Sequence, residues 1–164
     1  MAHDEETVQD FTDDTVDNSR ESGTISTENK SKMVDDTLHK VCKIKTEMYQ
    51  STANGKILTD EVIITDNRIE HIRERRGEAF IDEYYMHFSE VLTDPDFIFA
   101  DDKPNTAIVS KAYKLKDKTI NIVLRLVVEG DNPAFKNSII TAIGESEKRF
   151  AQRLRNSTPI YKKT

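Results

Sequence analysis

Thr119–Glu129, TINIVLRLVVE, is the stretch around which this chain must fold. Ile120, Ile122, Leu124, Leu126 and Val128 alternate along one side with the period of a strand. Val123 and Val127 make the other side apolar as well, so a strand here is buried on both faces. Arg125 interrupts that second side, in the company of Asn121 and Glu129. A guanidinium on a buried strand is costly unless it has a partner or lines a cleft. Arg125 is therefore a candidate functional residue.

Working outward, Thr106 to Leu115 can pair with this strand around Lys116-Asp117-Lys118. A three-residue loop places Val109 opposite Arg125, Lys111 opposite Val123 and Tyr113 opposite Asn121. Lys111, Tyr113, Asn121 and Arg125 then share one face, and the alternative register puts Lys111 among aliphatic side chains. Downstream, Gly130-Asp131-Asn132-Pro133 breaks the strand. Ser138 to Ile143 resumes one, with Ser138, Ile140 and Ala142 facing opposite to Ile139, Thr141 and Ile143. Glu145 to Arg155 reads as a third helix held by Phe150, Ala151 and Leu154, with its basic side chains solvated. Thr158 to Lys163 is a short closing strand whose Pro159 suits a sheet edge.

Upstream, Cys42, Ile44, Thr46 and Met48 alternate with charged residues from His39 to Tyr49, and Asn54-Gly55 is a hairpin turn signal. Lys56 to Ile64 is the expected return strand. A short helix follows from Asn67 to Arg76, with Thr65 or Asp66 able to cap it and Gly77 placed to end it. On this helix Arg68, His71 and Arg75 fall within roughly a sixth of a turn, beside Ile69 and Ile72. Glu78 to Leu92 reads as a second helix whose Phe80, Tyr84, Phe88 and Val91 are core. His87 lies at the edge of that apolar arc. Asp96 to Ala100 is a short strand. The acidic turn at Asp101 and Asp102 lacks the glycine and terminal glutamate of a calcium loop, so no metal site is expected.

The expected fold is α+β: two helices packed on a roughly four-stranded antiparallel sheet, with an extra N-terminal β-hairpin. The 164 residues suffice for one domain, read here as residues 38–164. Residues 1–37 hold eleven acidic and three basic side chains, a net of −8, so residues 38–164 carry +2 and the two parts sum to the overall −6. The tail is expected to be disordered, because its few apolar residues cannot offset chain entropy. It is also a candidate polyanion for a cationic cleft. One cysteine, Cys42, excludes an internal disulfide. With no apolar leader and no membrane-length apolar stretch, a cytoplasmic protein is expected.

His71, Arg75, Lys111, Arg125, Ser138, Thr141 and Tyr161 are the groups left to do chemistry. They suit metal-independent RNA cleavage, in which the 2′-hydroxyl attacks its own phosphate and no cofactor is needed. Such cleavage needs a base, an acid and fixed cations around the phosphorane. Histidine is the natural proton shuttle near neutral pH, while Arg and Lys hold phosphate.

The runs VIITDNRIEHIRERRG (62–77), LTDPDFIF (92–99), NIVLRLVVEGDNPAFKNSIITAIGESEKRF (121–150) and PIYKK (159–163) resemble the phage-borne nuclease family of the barnase/EndoU/colicin/RelE-like (BECR) superfamily, in its second phage version. The resemblance covers roughly Val62 to Lys163, and KNSIITA and YKK are its more specific marks. It implies a small RNase carried by a phage or mobile element, with two helices before a four-stranded antiparallel sheet. His71 and Arg75 match the family's helix histidine and following arginine, and Ser138 and Thr141 its late-strand hydroxyls. Where a second histidine is expected stands Arg76, so the acid falls to Tyr161 or Lys111.

The expected activity is thus a toxin-like endoribonuclease acting in the host cytoplasm and delivered by a phage. Its catalytic set is His71, Arg75, Arg125, Ser138, Thr141 and Tyr161. Arg68, Lys111 and Lys136 would hold RNA phosphate, and a cognate inhibitor or immunity protein is an expected partner. Two alternatives stand beside it: an inactive module of the same fold that binds a phage, host or RNA partner, and an inhibitor whose acidic tail mimics nucleic acid.

Overall fold

The computed structural model describes residues 36–164, so the disorder expected of the acidic tail lies outside the described residues. In chain order the elements are β1 (Leu38–Lys43), α1 (Thr46–Tyr49), β2 (Glu61–Thr65), α2 (Asp66–Arg76), α3 (Glu78–Tyr84), α4 (Phe88–Thr93), β3 (Phe97–Ala100), β4 (Thr106–Tyr113), β5 (Lys118–Arg125), β6 (Asn137–Glu145), α5 (Glu147–Asn156) and β7 (Tyr161–Lys162). One seven-stranded sheet runs in the order β1-β2-β6-β5-β4-β3-β7. Every neighbouring pair is antiparallel except β2 and β6. The α+β class holds. The expected four-stranded antiparallel sheet is instead a mixed sheet that takes in the N-terminal strands.

β5 is central and buried on both faces, as its apolar pattern requires. On the first face Val109, Ile120, Ile122, Leu124, Ile139 and Ala142 pack against Ile72, Ile81, Phe88, Val91 and Leu92 of the helices. On the second, Ile108, Val123, Ile140 and Ile143 pack with Phe99 and with Phe150 of α5.

Four local expectations change. The Asn54-Gly55 turn does not close a hairpin: Leu58 N donates to Val127 O at 2.9 Å and Glu129 N to Lys56 O at 2.9 Å, so residues 56–58 pair with the end of the central stretch. β1 and β2 still pair, but α1 and a 3-10 turn fill the connection between them. The helix expected over Glu78–Leu92 is broken by a 3-10 turn at Tyr85–His87, which buries Phe88 and leaves Met86 outside. The third change is the β4–β5 register, in which Lys111 lies opposite Ile120, Val109 opposite Ile122 and Tyr113 opposite Lys118. Lys111 and Tyr113 therefore sit on the face opposite to Asn121 and Arg125. Lys111 tolerates this because its Nζ reaches Asp94, donating to the carbonyl at 2.9 Å and to Oδ2 at 3.2 Å. Last, β6 bulges at Ile140, between the pairs Val123–Thr141 and Leu124–Ile139, which puts Ile140 and Thr141 on the same side.

Gly77 links α2 to α3 with φ 99° and ψ 157°, a backbone region essentially closed to other residues. No atom lies within 4 Å of a Cβ built there, so the conformation alone penalises a side chain. Gly77→Ala should cost about 1–3 kcal/mol of stability, read from the urea midpoint.

Candidate nucleic-acid interface

α2 gathers four arginines, Arg68, Arg73, Arg75 and Arg76, as α5 gathers Lys148, Arg149, Arg153 and Arg155. α2 starts where the sequence predicts, with Thr65 Oγ1 accepting from the Arg68 backbone N–H at 3.3 Å. Asp66 supplies a carboxylate to the first turn and Arg73, Arg75 and Arg76 supply cations to the last, both favourable to the helix dipole. Its two apolar residues hold it to the first face: Ile72 is fully buried and Ile69 packs beside it. β2 pairs with β6 only at Asn137 and Ser138, and Arg76 Nε donates to Ala142 O of β6 at 3.0 Å. These attachments fix the helix, and with it the flank carrying Arg68, His71 and Arg75. His71 and Arg68 are half-buried and Arg75 is exposed. Arg73, on the other flank, is paired with Glu70 at 2.6 Å.

The remaining predicted site residues do not join this flank. Arg125, Ser138 and Thr141 project from the second face: Arg125 lies opposite Ser138, and Thr141 opposite Val123 of the second cluster. The sheet separates that face from the face on which α2 is docked. Thr141 is fully buried, with its hydroxyl lacking a hydrogen-bond partner, so it meets no substrate phosphate. Tyr161 sits on β7, four strands from β6, which at ~4.8 Å per strand is roughly 19 Å. It packs against the first core. Lys136 pairs with Glu61 at 2.9 Å, and the hydrogen bond from Lys136 holds that carboxyl below its ordinary range.

Lys111 belongs to a separate charged group around Asp94. Asp94 Oδ2 also accepts from Lys163 Nζ at 2.9 Å, and the two ammonium groups, Lys163 first, hold its carboxyl below the usual carboxylate range. Nearby, the His87 ring lies 5.2 Å from that of Tyr113, whose hydroxyl donates to Glu90 Oε1 at 2.6 Å. His87 is thus a packed residue at the helix edge, as read from its position. Cys42 is half-buried on β1, and burial pushes its thiol up to about 11, which leaves it a packing residue with little thiolate.

A buried polar chain escaped the sequence reading. Ser110 Oγ donates to Asn121 Oδ1 at 2.5 Å, and Asn121 Nδ2 to Glu145 Oε1 at 2.8 Å. Glu145 accepts again from Arg153 Nε at 3.1 Å and from its NH2 group at 2.8 Å. The chain crosses β4, β5 and β6 and ends on α5, pinning that helix to the second face. Its signal was Ser146, whose hydroxyl caps α5 by accepting from Arg149 N at 3.3 Å. A serine cap there makes Glu145 the last residue of β6 rather than the first of a helix.

The molecule is thus an α+β protein with a mixed sheet, and its helix α2 bears a cationic flank. Among the described residues no helix is long and apolar enough to cross a membrane. Compared with known proteins, the chain matches no family model, no curated protein and no solved structure.

Proposed function

We propose that the protein binds RNA through the phosphate backbone, using the α2 flank formed by Arg68, His71 and Arg75. The observation that carries this reading is the firm docking of α2. Ile72 in the core, Thr65 at the cap and Arg76 on the β6 backbone hold the helix, and so the backbone positions from which the flank's side chains extend. Two guanidiniums and an imidazole within about a sixth of a helical turn suit successive phosphate oxygens, and fixing the backbone that carries them beforehand lowers the entropy cost of binding. Residues 38–164 carry the +2 charge found above, which favours a polyanion.

The test is the salt dependence of binding to single-stranded RNA. Arg68→Gln with Arg75→Gln should weaken binding and flatten the slope of log K against log salt by about 1.4, from about 0.7 per lost phosphate contact. Glu70→Gln with Glu74→Gln, on the outer side of the helix, should not weaken it. An unchanged slope in the arginine variant would remove α2 from the interface.

A second reading is metal-independent endoribonuclease activity at the same flank, favoured by the place of His71 three residues after Arg68 and four before Arg75. One imidazole could then move the 2′-hydroxyl proton of a phosphodiester held by both guanidiniums. Arg125, Ser138, Thr141 and Tyr161 have no part in it, because they face elsewhere. Incubation with total RNA in EDTA decides the matter. Fragments with 2′,3′-cyclic phosphate ends, lost in His71→Ala with RNA binding kept, support cleavage; intact RNA leaves the binding module.

A further inference from the structure

We propose that a bulge in β1 builds a second anion site, in which Lys40 and Lys43 hold a phosphate dianion on the sheet face opposite to α2. The site is separate from the α2 flank and stands whether or not that flank binds RNA. It originates in one extra residue.

In an unbroken strand, side chains three positions apart point to opposite faces of the sheet. Lys40 lies opposite Ile63 and Cys42 opposite Val62, so Val41 is inserted between two consecutive pairs. Val41 and Cys42 both pack against the first core, with Val62 and Ile64. Lys43 then lies opposite Glu61, and Glu61 and Ile63 occupy the same side of β2. The bulge therefore brings both lysines to the second face, where a regular strand would have divided them. β1 is the edge strand, and bulges at sheet edges re-aim side chains in this way.

An open cleft of about 330 Å³ lies at the bulge, lined by Lys40, Val41, Cys42, Lys43, Glu61 and Val62. That volume is at the small end for ligand pockets, so a compact group suits it. Both lysines are exposed. Glu61 does not cancel them, because Lys136 holds its carboxylate at 2.9 Å. Lys136 first, and Lys40 and Lys43 after it, keep that carboxyl below its ordinary range, which shows all three ammonium groups acting on one spot. Three ammonium groups against one carboxylate leave a net +2.

That charge selects the ligand. A free phosphate or a phosphate monoester carries about −1.5 to −2 near neutral pH, whereas a carboxylate or an internal phosphodiester carries a single charge. Lysine ammonium groups act on phosphate as point charges, without the planar match that an arginine imposes.

The test titrates the full chain, slightly above neutral pH and at constant ionic strength, with inorganic phosphate, with AMP and with the dinucleotide ApA, which has only a phosphodiester. Backbone amide NMR shifts of residues 39–43 and 61–63 are followed. Saturable shifts there with phosphate and AMP, and not with ApA, are expected. Equal affinities would identify free phosphate as a sufficient ligand, and tighter binding of AMP the phosphorylated end of a nucleotide; both uphold the site. Lys40→Gln with Lys43→Gln should weaken phosphate about tenfold, from two exposed charge pairs. Glu61→Gln, which keeps an acceptor for Lys136, should tighten it about threefold. Lys114→Gln with Lys148→Gln removes the same charge elsewhere and should change nothing. No shift at these residues, an equal loss in the second lysine pair, or shifts as large with ApA would overturn the proposal.

Discussion

Glu145→Ala should lower the free energy of unfolding by about 3–5 kcal/mol, a large part of what a domain of this size possesses. The side chain of Glu145 is 4% exposed and that of Arg153 11%, so the pair lies out of water. Removing the carboxylate takes two hydrogen bonds and a counter-charge from a largely buried guanidinium, and leaves the Asn121 amide without the acceptor it has in Glu145. These two losses can be told apart. In an Arg153→Met background the first is already gone, and Glu145→Ala should then cost only about 1–3 kcal/mol, the price of the orphaned amide. Urea unfolding of the four proteins in this cycle measures the difference as a coupling energy. Equal costs in both backgrounds would mean that the ion pair contributes nothing specific. α5 is held to the second face by this pair together with Phe150 and Leu154, which pack in the second cluster.

The elements that could be read from sequence are those whose determinants are local. α2 has its cap at Thr65, its apolar pair three residues apart and its glycine at the end, all within 13 residues of chain. β5 declares itself by being apolar on both sides. Lys111 was misread because its partner Asp94 lies on the far side of β3 in the sequence, and an isolated lysine looks too costly for an apolar face. The Asn54-Gly55 signal was outcompeted by residues 127–129, more than seventy positions away. The β2–β6 pairing rests on Asn137, whose amide donates to Thr59 O and whose oxygen accepts from Val127 N, each at 2.8 Å. Nothing in the periodicity reveals a two-rung parallel contact of that kind.

The candidate site divides along the same line. Arg68, His71 and Arg75 share a flank because helical geometry alone puts them there. Bringing Arg125, Ser138 and Thr141 to meet them required a register and a strand face, and both follow from long-range pairing. The bulge at Ile140 then buried Thr141 on the α5 side. The convergent six-residue centre expected from sequence is replaced by one helix flank and a separate buried chain.

Ile72→Ala should cost about 2–5 kcal/mol and should weaken RNA binding without touching a single charge. α2 has only Ile69 and Ile72 to bury, and an isolated helix of 11 residues is marginal in water. Removing the fully buried one leaves the helix tied by its cap, by Ile69 and by the Arg76 hydrogen bond to Ala142. Amide exchange of residues 69–76 should then quicken relative to β5, which stays in the core, while Ile72→Val should cost only about 0.5–1.5 kcal/mol and leave exchange nearly unchanged. If the ordered flank is what RNA meets, its affinity for the Ala variant should fall about tenfold at a temperature where the sheet is still folded, equivalent to about 1.4 kcal/mol of reordering before binding. Arg68, His71 and Arg75 are all present in that variant, so a fall isolates their arrangement from their charge. Fast exchange in α2 with RNA affinity unchanged would show that charge alone suffices, and that the docking of this helix serves the fold rather than the interface.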